Sequence, residues 1–215
     1  MPYLVAKLMV GLIFAQLLVA CNSQEPKNTQ GPVATDTLKP DKKNEHSAKT
    51  AVLSKAVIIN FSDTIILKRK VLCMKDSAAD MSRVALKLST IYGIRLQEII
   101  KKNGLKIGGQ PLAWYATSKA PFFFEAGIPV DKLPAKLPAG VYSKEIKQDS
   151  AIVAHFFGSY NMVYQAYAAL SDWMKDHKKK SIAPPFEVYI TDPVEKSGKP
   201  LDPLKIQTDI VFPYK

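Results

Sequence analysis

The stretch Pro184-Pro185-Phe186-Glu187-Val188-Tyr189-Ile190-Thr191-Asp192-Pro193 decides how the rest of the chain is read. Its centre alternates with the period of a strand. Phe186, Val188 and Ile190 share one face, and Glu187, Tyr189 and Thr191 share the other. Alternation says which neighbours share a face, not where that face points. Glu187 therefore has two readings: a solvent-facing residue of a half-exposed sheet, or a carboxylate aimed into a pocket.

An earlier stretch repeats this one. Aligned without gaps, Pro111-Leu112-Ala113-Trp114-Tyr115-Ala116-Thr117 falls over Pro185–Thr191, and Glu125–Pro129 falls over Asp209–Pro213. Each pair predicts a strand, a turn-rich loop and a second strand ending at proline, where a missing N–H is tolerated. A helix is predicted before each pair. In the second half Ser159 is the expected N-cap, and Val163, Tyr167, Leu170, Trp173 and Met174 form one apolar stripe. Lys178-Lys179-Lys180 fall near its C-terminal end, where cations suit the helix dipole. In the first half Val84, Leu88, Ile91, Leu96, Ile99 and Ile100 predict one or two helical segments, interrupted around Gly93 and stopped at Asn103-Gly104. Strands are predicted ahead of the helices over Thr64–Leu72, Gly140–Ile146 and Ser150–Phe156. The expected fold is α+β: duplicated strand-helix-strand-strand units forming an antiparallel sheet, with helices on one face and a ligand cleft between the repeats.

The N-terminal region reads differently. After Lys7, the apolar run Leu8–Ala20 is too short to span a bilayer comfortably, and it ends in Leu18-Val19-Ala20-Cys21. Small residues before a cysteine resemble a bacterial lipoprotein signal, which implies cleavage ahead of Cys21 and lipidation of Cys21. Residues 22–50 hold no aromatic residue and are dominated by polar residues and proline, the composition of a disordered tether. Residues 51–215 are read as the folded domain, with repeat one over about 60–130 and repeat two over about 138–215. The expected location is the bacterial cell envelope, with the domain outside the cytoplasm and anchored to a membrane by acyl chains.

The formal net charge of +11 raises the question of nucleic acid. The lysines are scattered, and neither a helix-turn-helix-like segment nor zinc-ligand spacing accompanies them. No nucleic-acid partner is expected. With Cys21 lipidated, Cys73 stands alone, so no intramolecular disulfide is expected and Cys73 reads as a small buried hydrophobe. His46, His155 and His177 do not cluster with other ligand types, so neither a metal nor another cofactor is expected. The oligomeric state stays open.

Several motifs converge on one family. "PAGVY", "FFGSY" ahead of a helix ending "LSDWMKDH", "PFEVYITDP", "TDIVFPY", "GQPLAWY" and "FEAGIPV" together resemble the GyrI-like family, also known as the effector-binding domain of AraC- and MerR-type regulators. The resemblance covers roughly residues 60–215. It implies a pocket between the repeats for lipophilic, frequently cationic ligands, with a glutamate at the position of Glu187. Some members of the family hydrolyse reactive cyclopropane-containing compounds. A DNA-binding domain ahead of the pocket is not read in this sequence, so transcription regulation is not expected to carry over.

The resemblance and the repeat rank the candidate residues. Glu187 leads as a ligand contact, because Ala113 stands at its counterpart while Tyr115 and Tyr189 match. It is also the residue that would direct water if the pocket is enzymatic. Tyr189 and Tyr115 are aromatic walls. Glu125 and Asp209 are equivalent, either two pocket acids or a duplicated structural feature. Tyr142 and Tyr160 are weaker candidates. Trp173 lies on the helix stripe, between core and pocket, whereas Trp114 falls on the face opposite Tyr115 and reads as core. His155 reads as a satisfied core histidine. No Ser-His-Asp order is apparent. The leading expectation is a membrane-tethered receptor or scavenger of a lipophilic, possibly cationic molecule. The alternatives are a hydrolase of strained electrophiles and an envelope interaction protein.

Overall fold

The computed structural model describes residues 57–195 and 197–215. The expected signal segment with Cys21, the expected tether over residues 22–50 and residues 51–56 lie outside the described residues. Eight strands form one antiparallel sheet: β1 (Ile58–Ile66), β2 (Arg69–Ala78), β3 (Leu112–Tyr115), β4 (Phe122–Val130), β5 (Val141–Ile146), β6 (Asp149–Phe157), β7 (Phe186–Tyr189) and β8 (Gln207–Tyr214). Their spatial order is β1-β6-β8-β7-β3-β4-β2-β5. Reversing that order exchanges β1 with β5, β6 with β2, β8 with β4 and β7 with β3. The duplication read in the sequence is thus a pseudo-twofold axis through the middle of the sheet, between β3 and β7.

The leading strands depart from the sequence expectation. Thr64–Leu72 is not one strand: Leu67-Lys68 break it into the end of β1 and the start of β2. The break matters because the two parts serve different halves. β2 pairs with β4 of its own repeat, while β1 crosses over to pair with β6 of the second repeat. β5 makes the reciprocal crossing and pairs with β2. Each repeat therefore lends its first strand to the other.

Helices α1 (Met81–Thr90), α2 (Leu96–Lys102) and α3 (Tyr164–Asp176) all cover one face of the sheet. Alternation along the strands divides the core. Leu72, Met74, Ala126 and Ile128 meet Val84, Leu88, Ile91 and Leu96 under the first helical layer. Ile152, Ala154, Phe156 and Ile210 meet Ala166, Leu170 and Met174 under α3. The intervening residues Val71, Cys73, Leu112, Trp114, Val153, Phe186 and Val211 form a separate apolar layer on the helix-free face.

Local signals explain the helix ends. Asp80 caps α1, its carboxylate accepting from the Arg83 amide at 2.9 Å. The expected interruption at Gly93 is a π-helical stretch, Ile91–Arg95, that links α1 to α2 without a stop. Gly104 ends α2 at φ +57°, with the Leu105 amide donating to the Ile100 carbonyl at 3.0 Å and the Gly104 amide to the Lys101 carbonyl at 3.2 Å. Ser159 does not cap with its side chain. Its carbonyl opens a 3₁₀ turn over Tyr160–Met162, and α3 follows. That turn brings Tyr160 over the sheet.

Candidate functional site

Glu187 occupies the centre of the sheet and points to the helix-covered face. It is 1% exposed. Tyr160, from the 3₁₀ turn, donates its hydroxyl to Glu187 Oε2 at 2.5 Å, and Tyr167, from α3, donates to Oε1 at 2.9 Å. Tyr115 and Tyr189, equivalent across the pseudo-twofold axis, bring their hydroxyls within 3.0 Å of each other. Tyr92 packs its ring 6.0 Å from that of Tyr189 and donates its hydroxyl to the Leu112 carbonyl at 2.8 Å. Five tyrosines thus surround one carboxyl group.

Among the described residues, no lysine, arginine or histidine pairs with Glu187. Burial pushes its carboxyl up to about 7, and the tyrosine hydroxyls that donate to it pull the other way without cancelling the effect. The same burial, with the carboxylate alongside, holds the hydroxyls of Tyr115, Tyr160, Tyr167 and Tyr189 well above the usual phenol range. They remain donors at neutral pH.

A cavity of about 200 Å³ opens onto this group, lined by Tyr115, Tyr160, Tyr167, Glu187 and Phe122, with Met81 and Tyr164 at its rim. That volume suits a ring-sized moiety, since an engineered cavity of about 150 Å³ holds benzene. Tyr164 is 61% exposed, so its ring can move aside for a larger guest.

The other sequence candidates lie elsewhere. Trp173 is not in this cavity; it stacks on His177 at 4.1 Å and packs against Tyr214 at 5.6 Å, on the far side of α3. Glu125 and Tyr142 face the helix-free side of the sheet. Glu125 takes Lys144 Nζ at 2.6 Å and Lys75 Nζ at 3.7 Å, and Lys144 Nζ also sits 4.0 Å from the Trp114 ring centroid. Burial opposes ionisation of Glu125, but the two lysines prevail and hold its carboxyl below the usual range. The buried Tyr142 hydroxyl lies toward the Glu125 carboxyl and also favours its ionisation, but makes no hydrogen bond of full geometry among the described residues. Trp114 is in the helix-free layer, against Phe186 at 5.7 Å. Cys73 is fully buried and its thiol is pushed up to about 12 by burial, as suits an inert packing residue. His155 is half-buried, with both ring nitrogens hydrogen-bonded.

Sequence reasoning missed Tyr167 and Tyr92. Tyr167 sits in the apolar stripe of α3, where helical periodicity makes it look like core. The signal that could have found it is its hydroxyl: a tyrosine in an otherwise aliphatic stripe requires a buried partner. Tyr92 lies in the π-helical stretch, whose extra residue per turn is invisible to a 3.6-residue period.

Residues 110–215 match the family described as the GyrI-like small molecule binding domain. Over that part the chain is similar to the GyrI-like family. The match takes in β3 to β8, and so the whole of β7 with Glu187. Among solved structures, the crystal structure of the EcmrR C-terminal domain aligns with this fold at a TM-score of 0.61 and 22% identity, over 74% of this chain and 98% of that one. The cryo-EM structure of an EcmrR–DNA complex in EcmrR-RPo aligns at 0.61 and 21%, over 73% of this chain; this chain spans 57% of that longer protein. SAV2435 bound to tetraphenylphosphonium aligns at 0.47 and 15%, over 73% and 94%. At these identities the likeness is one of fold. No curated protein matches the sequence.

Proposed function

We propose that this GyrI-like domain binds a small lipophilic cation, with Glu187 as the counter-charge and Tyr115, Tyr160 and Tyr167 as the aromatic cage, Tyr189 backing the cage through the Tyr115 hydroxyl rather than lining the cavity. The supporting observation is the electrostatics of one group. A carboxyl at 1% exposure with hydroxyl donors but no cationic partner is half-ionised near pH 7. An apolar cation that enters the cavity supplies the missing charge and gains attraction to the ring faces as well. A neutral guest of the same shape gains only the burial. We further propose that Cys21 is lipidated and that residues 22–50 tether the domain to an envelope membrane, where lipophilic molecules concentrate; a receptor or scavenger role follows from that placement.

A thermal-shift comparison tests the ligand class. A lipophilic cation of one-ring size should raise the melting temperature by mass action more than its neutral isostere. Glu187→Gln should abolish that preference and leave the neutral compound unaffected. Equal shifts for both compounds in the wild-type protein refute the cationic reading. Membrane fractionation tests the tether: Cys21→Ala should leave unprocessed precursor, and unchanged processing and acylation would refute it.

The same pocket could serve a hydrolase of strained electrophiles, with Glu187 as base, and its carboxyl near 7 suits general acid–base work. That reading predicts turnover that Glu187→Gln eliminates.

A further inference from the structure

A second cavity among the described residues is larger than the one around Glu187. About 750 Å³ in volume, it lies on the helix-free face and is walled by apolar residues including Ile66, Leu112, Val153, Phe186 and Val211. Three polar residues of its lining are linked. Ser62 Oγ lies 2.8 Å from His155 Nε2. His155 Nδ1 lies 2.8 Å from Asp209 Oδ1. Gln207 Nε2 donates to the same Asp209 oxygen at 2.8 Å. From these contacts we propose that Ser62, His155 and Asp209 form a serine-nucleophile site that cleaves esters of small apolar acyl groups, separate from the Glu187 pocket.

The roles follow from the hydrogen bonds. A carboxylate can only accept, so the proton of the neutral imidazole sits on Nδ1. Nε2 is left as the acceptor of the Ser62 hydroxyl proton. That is the tautomer in which histidine acts as base toward a serine, and the carboxylate that fixes it is itself held by Gln207. Ser62 lies on the edge strand β1, half-buried, in the lining of the cavity.

The duplication offers an internal comparison. By strand register, Ser62, His155 and Asp209 of one half correspond to Tyr142, Lys75 and Glu125 of the other. There the positions hold an ion pair, Lys75 with Glu125 at 3.7 Å, and an aromatic ring beneath the lysine. The sheet therefore folds around either set. The serine–histidine–aspartate set is not required by the scaffold, and it is the set that opens into the large cavity.

The step balances without a cofactor. Ser62 Oγ attacks the ester carbonyl carbon as its proton passes to His155 Nε2. The bond to the alkoxide breaks as that proton moves to the leaving oxygen, releasing the alcohol. Water then attacks the acyl-serine and gives its proton to Nε2. The acyl–Oγ bond breaks, the proton returns to Oγ, and the carboxylic acid leaves. The negative charge that develops on the carbonyl oxygen needs donors. Among the described residues Arg69 is the one lysine or arginine lining the cavity, and Gln110 lines it as well. The Arg69 guanidinium runs close over Gly109, where a Cβ would lie 2.5 Å from Nη1.

The test uses the purified full chain and two probes: a fluorophosphonate, and p-nitrophenyl esters of two- to six-carbon acids. Attack by Ser62 on the phosphonate forms an O–P bond and expels fluoride, which mass spectrometry locates. The expected result is one adduct on Ser62, absent in Ser62→Ala and at least tenfold slower to form in His155→Gln. Asp209→Asn should slow it comparably and Asp209→Glu should restore part of the rate, as expected of a positioning residue. Lys75→Gln, at the equivalent position of the other half, should label at the wild-type rate. Ester hydrolysis should follow the same order. If Ser62→Ala fails to melt cooperatively, Ser62→Cys takes its place, and its alkylation by iodoacetamide should be at least tenfold faster than in Ser62→Cys with His155→Gln. A cooperatively folded wild-type protein with no adduct on Ser62 overturns the proposal, as does ester hydrolysis that survives Ser62→Ala undiminished. Neither result bears on cation binding at Glu187.

Discussion

Ala113 and Glu187 are partners across the seam between β3 and β7, and they are also equivalent residues of the two repeats. The pseudo-twofold axis runs between them. A carboxylate on both would place two acids face to face in the core; a methyl on both would leave a void in a ring of tyrosines. The asymmetry makes one functional group from a symmetric scaffold. Ala113 is fully buried, so it cedes to Glu187 the space above the axis.

Ala113→Glu should therefore be costly in a pH-dependent way. Two buried carboxyls cannot both ionise at that separation, and an uncompensated buried charge costs several kcal/mol. The expected loss at pH 8 is about 3 kcal/mol or more, a fall in melting temperature on the order of 10 °C for a domain of this size. At pH 5, with both carboxyls protonated, the fall should be markedly smaller. An equal fall at both pH values would place the introduced side chain outside the core.

The raised Glu187 carboxyl predicts the sign of a stability profile. It titrates near 7 in the folded chain and near 4.5 when unfolded, so the folded state holds an extra proton between those values. Its contribution is fully present below about pH 4.5, declines as pH rises to about 7, and is level above that, an effect on the order of 3 kcal/mol. Denaturant titrations of wild type and Glu187→Gln from pH 4.5 to 8 should differ by that decline. A bound lipophilic cation should reverse it, since it favours the ionised form.

Tyr167→Phe removes a donor to a buried carboxyl and leaves the ring in place. It should cost about 1–2 kcal/mol and move the titration of Glu187 above 7, which the pH dependence of cation affinity reads directly. Tyr115→Phe removes a hydroxyl that meets Tyr189 rather than Glu187, so it should cost less and leave the Glu187 titration nearer to wild type. An identical profile in both variants would mean the Tyr167 bond is not what holds the carboxylate.

Much of this architecture is legible in the chain itself. The paired prolines and tyrosines of the two strand pairs reveal the duplication, and the lone Glu187 against Ala113 marks the position that duplication does not explain. What escaped was of two kinds. Tyr167 obeys the periodicity of a core stripe, and only its hydroxyl, which periodicity ignores, sends it to Glu187. Ser62, His155 and Asp209 are far apart in sequence and meet because β1 leaves its own repeat to pair with β6. A strand read as Thr64–Leu72, belonging to the first half, cannot disclose that meeting. Trp173 shows the converse: a large aromatic near a pocket in sequence that the helix turns toward His177 and Tyr214.

Gly127 tests the close packing under the helix-free face. A Cβ there would lie 2.5 Å from Val71 Cγ1, 3.0 Å from Cys73 Sγ and 3.2 Å from the Leu72 carbonyl oxygen. Val71 is a short, stiff, fully buried side chain and cannot move aside cheaply. Gly127→Ala should cost about 1–3 kcal/mol by overpacking. Adding Val71→Ala should recover part of that loss despite its own cavity cost, so the two changes should be non-additive. Strict additivity in chemical denaturation would show that the clash is relieved elsewhere.

The reciprocal crossing of β1 and β5 also sets an order of events during synthesis. β1 is made early, yet its partner β6 follows roughly 90 residues later, a delay of about 5–20 s at ordinary elongation rates. For that interval an edge carrying Phe61 and Ile65 has no native strand beside it. The chain emerges as two halves that each hold the other's missing strand: the first half can close its four strands once β5 has emerged, whereas the second must wait for β8 at the end of the chain.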